Sequence, residues 1–400
     1  MKNIAQKPKV LFFLLIALAL TTLIIIQNQK PQPINPKPPS NNPSRTDEIR
    51  DISRGLYEEC RRSQAACFEQ KITDRLLAKY AVADILEAVY DWDVYFSCHA
   101  FTHFLGQALY KKTGSIPDAY SQVNFTCHGG TYHGVLEAFL DARKTTVDSL
   151  TGKDLETTCA DSPKKSGKNT SQIFTECLHG FGHAFMFITN ADLPSSLAYC
   201  DRLDASLRER CWGGAFMENS TSSTNADHPT NWLKAEDKFY PCTVLPAGYL
   251  KQCYFYQANY LLKITSRNWQ RVFADCAEVA AAAHHDYCVL GLGAQLASVS
   301  NEEGIDVAAS VCPLGQGNDQ YVCVEGAVPS LFARHGGAAP QVFEFCRQLA
   351  PFLREFCFAK LGSVAKTYWQ YDQASLESTC LEAKEFAYAC MGLSNNSFKY

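Results

Sequence analysis

Three arrangements of hydrophobic and polar positions succeed one another along the chain. Val10 to Ile26 (VLFFLLIALALTTLIII) is apolar throughout, with only Thr21 and Thr22 mildly polar. Gln27 to Thr46 (QNQKPQPINPKPPSNNPSRT) is rich in proline and has almost nothing to bury. Beyond it, apolar residues recur at mixed three- and four-residue spacing, as in Val364 to Tyr371 and Phe386 to Met391, the pattern of helices that bury one face. At ~1.5 Å per residue the first run is just long enough to cross a ~30 Å hydrocarbon core. Lys2, Lys7 and Lys9 precede it, which favours a cytoplasmic N-terminus over residues 1–9 and puts everything after Ile26 outside. A cleaved signal peptide is the rival reading, with Ala17-Leu18-Ala19 as the processing site. The uncut transmembrane anchor at 10–26 is preferred because strong apolar residues continue well beyond Ala19. Either way the body is exported. Residues 27–46 then form a semi-extended tether, and 47–400 the folded part.

The cysteines define the period of that folded part. Its second half carries the pairs Cys200/Cys211, Cys242/Cys253, Cys276/Cys288, Cys312/Cys323, Cys346/Cys357 and Cys380/Cys390, whose first members recur every 34 to 42 residues. That is the period of a helical hairpin. Two cysteines eleven apart on one helix would lie about 16 Å apart, whereas a disulfide needs Cα atoms within ~7 Å, so the chain turns back between them. Pro246 and Gly248 in one segment, and Gly315 and Gly317 in another, supply turn chemistry. Glycines after the second cysteine, namely Gly213, Gly291, Gly326, Gly362 and Gly392, would let one helix approach its neighbour closely. The first half departs from the rule. Cys60/Cys67 is a shorter pair, Cys159/Cys177 a longer one, and Cys98 and Cys127 both look like second members that bridge neighbouring units.

The expected fold is therefore all-α, a disulfide-stapled αα-hairpin repeat solenoid after an N-terminal transmembrane helix, with histidine-rich units over 47–190 and cysteine-paired repeats over 191–400. In architecture it resembles the cysteine-rich tetratricopeptide and Sel1-like helical hairpin proteins. That resemblance implies a superhelix whose concave face binds a protein or peptide partner, and it implies no activity.

Of ten histidines, six sit in three windows beside a cysteine: Cys98-His99-AFT-His103, Cys127-His128-GGTY-His133 and Cys177-Leu178-His179-GFG-His183. The places after the second cysteine in later units hold Trp212, Tyr254, Val289, Val324 and Phe358, so the repeat does not need histidine there. His99/His103 and His179/His183 are i, i+4 pairs, which project from one helix face at a spacing that suits two imidazoles on one metal. His128 and His133 join them if His128 lies before the first turn, as Gly129 and Gly130 permit. The positive end of a helix dipole disfavours an imidazolium, keeping histidines at helix starts in the neutral form that ligates metal. The metal candidates are thus His99, His103, His128, His133, His179 and His183, and the ion a transition metal: zinc, copper or iron. Tyr132 and Glu137 are the catalytic candidates, and Glu218 a further supporting carboxylate. His284 and His285 fall in a turn between Cys276 and Cys288, and His228 and His335 in loops; none is assigned to the site.

Composition and charge narrow the remainder. The chain has 400 residues, 46% hydrophobic and 20% charged, which is ordinary globular usage. Residues 1–46 hold six basic residues and no acid, leaving 31 basic against 41 acidic residues and a net charge of −10 on the body. Such a body is a poor partner for nucleic acid. Eighteen cysteines point to an oxidising, extracytoplasmic compartment. No phosphate loop, HExxH, GxSxG or CxxC motif occurs. Two functions follow as expectations. One is a membrane-anchored metal-binding protein, with a lean towards a metal-dependent enzyme; the other is a noncatalytic interaction module for a peptide or cell-envelope partner.

Overall fold

The computed structural model describes residues 44–393 apart from 61–64, 91–97, 167–169, 223–228, 335–336 and 338. The N-terminal stretch 1–9, the membrane span expected at 10–26 and all of the tether up to 43 lie outside these residues, as do His228 and His335. No helix of the described residues is long and apolar enough to cross a membrane.

All secondary structure among the described residues is helical. The chain begins with α1 (Arg45–Cys60), α2 (Ala65–Ile72) and α3 (Val82–Tyr90). Longer helices then form a row: α4 (Cys98–Thr113), α6 (Gly130–Asp141), α8 (Thr170–Ile188), α10 (Arg208–Ser222), α11 (Leu250–Ile264), α13 (Ala282–Ala294), α16 (Asp319–Arg334) and α18 (Pro351–Thr367), ended by the short α20 (Ala387–Cys390). Each packs on the next. Shorter helices come between them: α5 (Ile116–Tyr120), α7 (Gly152–Asp161), α9 (Leu193–Cys200), α12 (Trp269–Ala277), α14 (Leu296–Glu302), α15 (Ile305–Val311), α17 (Pro340–Gln348) and α19 (Gln373–Leu381). Side-chain caps start several of them, among them a reciprocal Thr151/Asp154 capping box on α7 and Asn268 and Asp372 on α12 and α19.

Nine disulfides account for all eighteen cysteines. From Cys159 onward each joins the end of a short element to the long helix that follows it, with Cα atoms 5.4–5.6 Å apart. Cys98 and Cys127 pair with each other across the start of α4 and the turn before α6, as their shared type suggested.

Glycine sets the spacing of the long helices. A Cβ on Gly134, Gly214, Gly291 or Gly326 would overlap the carbonyl oxygen of His103, His179, Phe255 or Leu290 on the preceding long helix. Gly362 is packed in the same way against the Cys390 carbonyl. Two expected glycines act otherwise: Gly214 rather than Gly213 makes the close backbone approach, and Gly392 has φ +71 with open space around it, so it serves the turn after α20.

Residues distant in sequence also meet. Gln172 on α8 donates to the Tyr368 carbonyl, Phe125 lies edge-on to Trp369 with ring centroids 5.4 Å apart, and the Arg334 guanidinium faces His128 Nε2 at 3.0 Å. The histidine-bearing helices are thereby braced by the far end of the chain.

Candidate metal centre

The glycine contacts give the register of the long helices. Gly134, directly after His133, lies on His103; Gly180, directly after His179, lies on His133; and Gly214, directly after Gly213, lies on His179. His103, His133 and His179 therefore occupy one place on three successive helices. The later helices hold Gly213, Leu290 and Glu325 there, with Phe255 aligned through its contact with Gly291. This corrects the alignment expected from the cysteines, which set Trp212, Tyr254, Val289, Val324 and Phe358 opposite the histidines. His99 sits one turn before the shared place on α4. One turn after it, Glu137 on α6 and His183 on α8 match each other.

Five of the six expected imidazoles converge. The His133 ring lies 5.2 Å from His99, 5.3 Å from His103, 5.2 Å from His179 and 4.4 Å from His183, centroid to centroid. One ring nitrogen from each of His99, His133 and His183 falls in a group whose members lie within 4.8 Å of one another. Burial is nearly complete at the centre, with His133 and His183 each 1% exposed and Glu137 4%.

Hydrogen bonds fix the tautomers. His99 Nδ1 donates to the Cys127 carbonyl oxygen at 2.7 Å, and His103 Nδ1 to Glu137 Oε1 at 2.7 Å. Glu137 is held from its other oxygen by Gln107 Nε2 at 2.6 Å. On α8, His183 Nδ1 donates to Glu218 Oε2 at 2.8 Å, and His179 hydrogen-bonds the backbone of Arg210. Carbonyl and carboxylate oxygens only accept, so the Nδ1 atoms of His99, His103 and His183 carry hydrogen and their Nε2 atoms are left to the interior. There they meet in pairs, His99 and His103 at 3.1 Å and His179 and His183 at 3.2 Å. Carboxylates behind imidazoles in this way orient metal ligands and raise their basicity. His133 completes the set. Its Nε2 lies 3.3 Å from Glu176 Oε2, while its Nδ1 is buried with no hydrogen-bond partner. A buried polar atom without a partner is costly, and an ion beside it would remove that cost.

Protonation follows the surroundings. Burial, reinforced by neighbouring imidazoles, holds His99, His133 and His179 well below the usual histidine range. Burial presses on His103 in the same sense, but the charge and hydrogen bond of Glu137 outweigh it and the net shift is upward. Glu137 is lowered: burial alone would raise it, and His103 prevails. Burial pushes Glu176 up to about 7, against the opposing pull of Arg210.

Several expectations change. His128 does not join the cluster. Cys127, His128 and Gly129 all have positive φ, and this left-handed turn carries the His128 ring to Arg334 instead. Tyr132 is a core residue: its hydroxyl donates to the Val123 carbonyl and its ring packs against Tyr120 and Phe125. His179 and His183 lie in the middle of α8, which begins at Thr170, well before Cys177, so burial and not the helix dipole keeps His179 neutral. His284 and His285 are in the first turns of α13, with the His284 ring stacked on Tyr254. Glu137, a catalytic candidate in the sequence, stands behind His103, and Glu218 stands behind His183. Glu176 was missed, because a lone glutamate before a cysteine carries no signal until the helices are aligned. The Tyr256 ring lies 6.3 Å from that of His179.

Compared with known proteins, the chain matches no family model, no curated protein and no solved structure.

Proposed function

We propose that this is a membrane-anchored extracytoplasmic metal-binding protein, in which a disulfide-stapled helical-hairpin solenoid holds a transition metal ion of the zinc, copper or iron class through His99, His103, His133, His179 and His183. The observation that carries this reading is the convergence of five imidazoles: four meet through their Nε2 atoms in two pairs, and the fifth, His133, has a buried Nδ1 that lacks a partner. Such a site gains nothing for packing; buried polar groups without an ion only subtract from stability. The nine disulfides support an oxidising, extracytoplasmic compartment, and they leave no thiolate to compete for the metal. The apolar run at 10–26 supplies the anchor.

The cluster also favours a metal-dependent enzyme over a structural ion. A structural zinc site is closed by about four ligands, whereas here five imidazoles and three carboxylates gather. Glu176 is the group among them able to take and return a proton near neutral pH. A protein or peptide partner on the helical surface is compatible with this reading and is proposed with it.

The test is elemental analysis of the untagged full chain, produced in an oxidising compartment and purified without chelators. Tightly held transition metal is expected in the wild type and near-complete loss in His133→Ala, while His284→Ala stays unchanged. A folded wild-type protein that neither contains nor takes up metal defeats the proposal.

A further inference from the structure

The five imidazoles are not arranged as one shell. His99 with His103 on α4, and His179 with His183 on α8, are two copies of the same device: an i, i+4 pair in which the first ring is tied to a backbone group and the second to a glutamate on the next long helix. Two nitrogens bound to one ion at ~2.0–2.1 Å, with angles between octahedral and tetrahedral, stand about 2.9–3.4 Å apart. Both Nε2 pairs meet that requirement, at 3.1 and 3.2 Å. A ligand group of His99, His133 and His183, with one nitrogen from each lying within 4.8 Å of one another, takes one member from each pair and so sets His133 between the two.

The two devices come from different helices and stand side by side, with the His103 and His183 ring centroids 5.3 Å apart. α4 and α8 both pack on α6, which contributes His133 between the pairs and Glu137 behind His103. Around the five imidazoles stand Glu137, Glu176 and Glu218, and three carboxylates exceed the charge of one divalent ion.

We infer that the centre is dinuclear: one divalent transition ion held by His99 and His103, a second by His179 and His183, with His133 and Glu176 between them as the shared or closing ligands. In two-metal sites the ions are typically ~3.5–4 Å apart, close enough for a carboxylate to bridge them. The inference rests on the metal-binding function proposed above and can fail without it.

The experiment is a count. The untagged full chain is stripped with a chelator, reloaded with Zn²⁺, freed of excess ion and measured by native mass spectrometry and elemental analysis. Two ions per chain are expected, and one each in the double variants His99→Ala/His103→Ala and His179→Ala/His183→Ala. One ion per wild-type chain overturns the dinuclear inference and leaves metal binding standing; none overturns both. Two ions that both survive in either double variant also overturn it. Should a double variant fail to fold, the wild type loaded with Cu²⁺ still decides: spin coupling between two close ions is expected in its paramagnetic resonance spectrum, and a spectrum of isolated Cu²⁺ alone overturns the inference.

Discussion

The helices α4, α6 and α8 and the helices α13, α16 and α18 are built to one plan. In both sets a long helix is stapled to the element before it or its neighbour, and a glycine brings its backbone against a carbonyl of a neighbouring helix in the row. At the place these packing contacts align, the first set holds His103, His133 and His179, while the later helices hold Leu290 and Glu325. The fold is made equally well with either. Buried or half-buried imidazoles cost desolvation that an apolar residue does not, and their gathering in one region accords with the metal site proposed above. The difference also shows that burial alone does not make the site. His284 and His285 also stand near the start of a long helix, yet they belong to no ligand group among the described residues.

Removing staples separates the two regions most sharply. Cys159→Ser/Cys177→Ser and Cys346→Ser/Cys357→Ser each open a loop of 18 or 11 residues, and each should lower unfolding free energy in denaturant by about 3 kcal/mol. Only the first should also weaken metal retention, because Cys177 shares a helix with the site, two residues before His179 and six before His183. Equal metal loss in both would mean that the cluster depends on the whole fold and not on its own helices.

Overpacking gives the next contrast. Gly134→Ala and Gly326→Ala place a methyl group against a helix carbonyl, at a cost of about 1–3 kcal/mol each. Thermal unfolding should register both. Titration with Zn²⁺ should register only Gly134→Ala, which forces α4 and α6 apart and separates His103 from His133.

A subtler pair tests the carboxylates. Glu137→Gln keeps the shape but removes the charge that orients His103, and metal affinity should fall about 10- to 100-fold. Glu325→Gln, at the place on α16 that matches His133, loses a surface pair with Lys360 and should leave affinity unchanged.

The smallest effect expected is in pH. The folded, metal-free protein holds a proton on Glu176 up to about pH 7, above the usual glutamate range. Below that pH a bound cation must displace the proton, so affinity should climb as pH rises through 7, by up to ~10-fold per unit from this group. Glu176→Gln should flatten that part of the profile. A curve of unchanged steepness would show that the carboxyl does not face the ion.

Much of this protein was legible in its sequence. The cysteine spacing, together with the reach of a disulfide, requires the chain to fold back between paired cysteines, and the six pairings of the second half follow that logic, whereas the three of the first half have other separations. Both i, i+4 histidine pairs and the supporting Glu137 and Glu218 are visible in the same way, because a single helix fixes what lies four residues on. The register between helices was not visible. It depends on which glycine meets which carbonyl, a contact between residues about thirty apart in the chain, and the cysteines of the first units point to a different alignment. Tertiary structure alone turned His128 away on a left-handed turn and set Glu176 against His133. It also joined two histidine pairs from α4 and α8 into one buried centre. Local sequence determines the ligands each helix can offer, whereas their convergence is decided by how closely neighbouring helices pack.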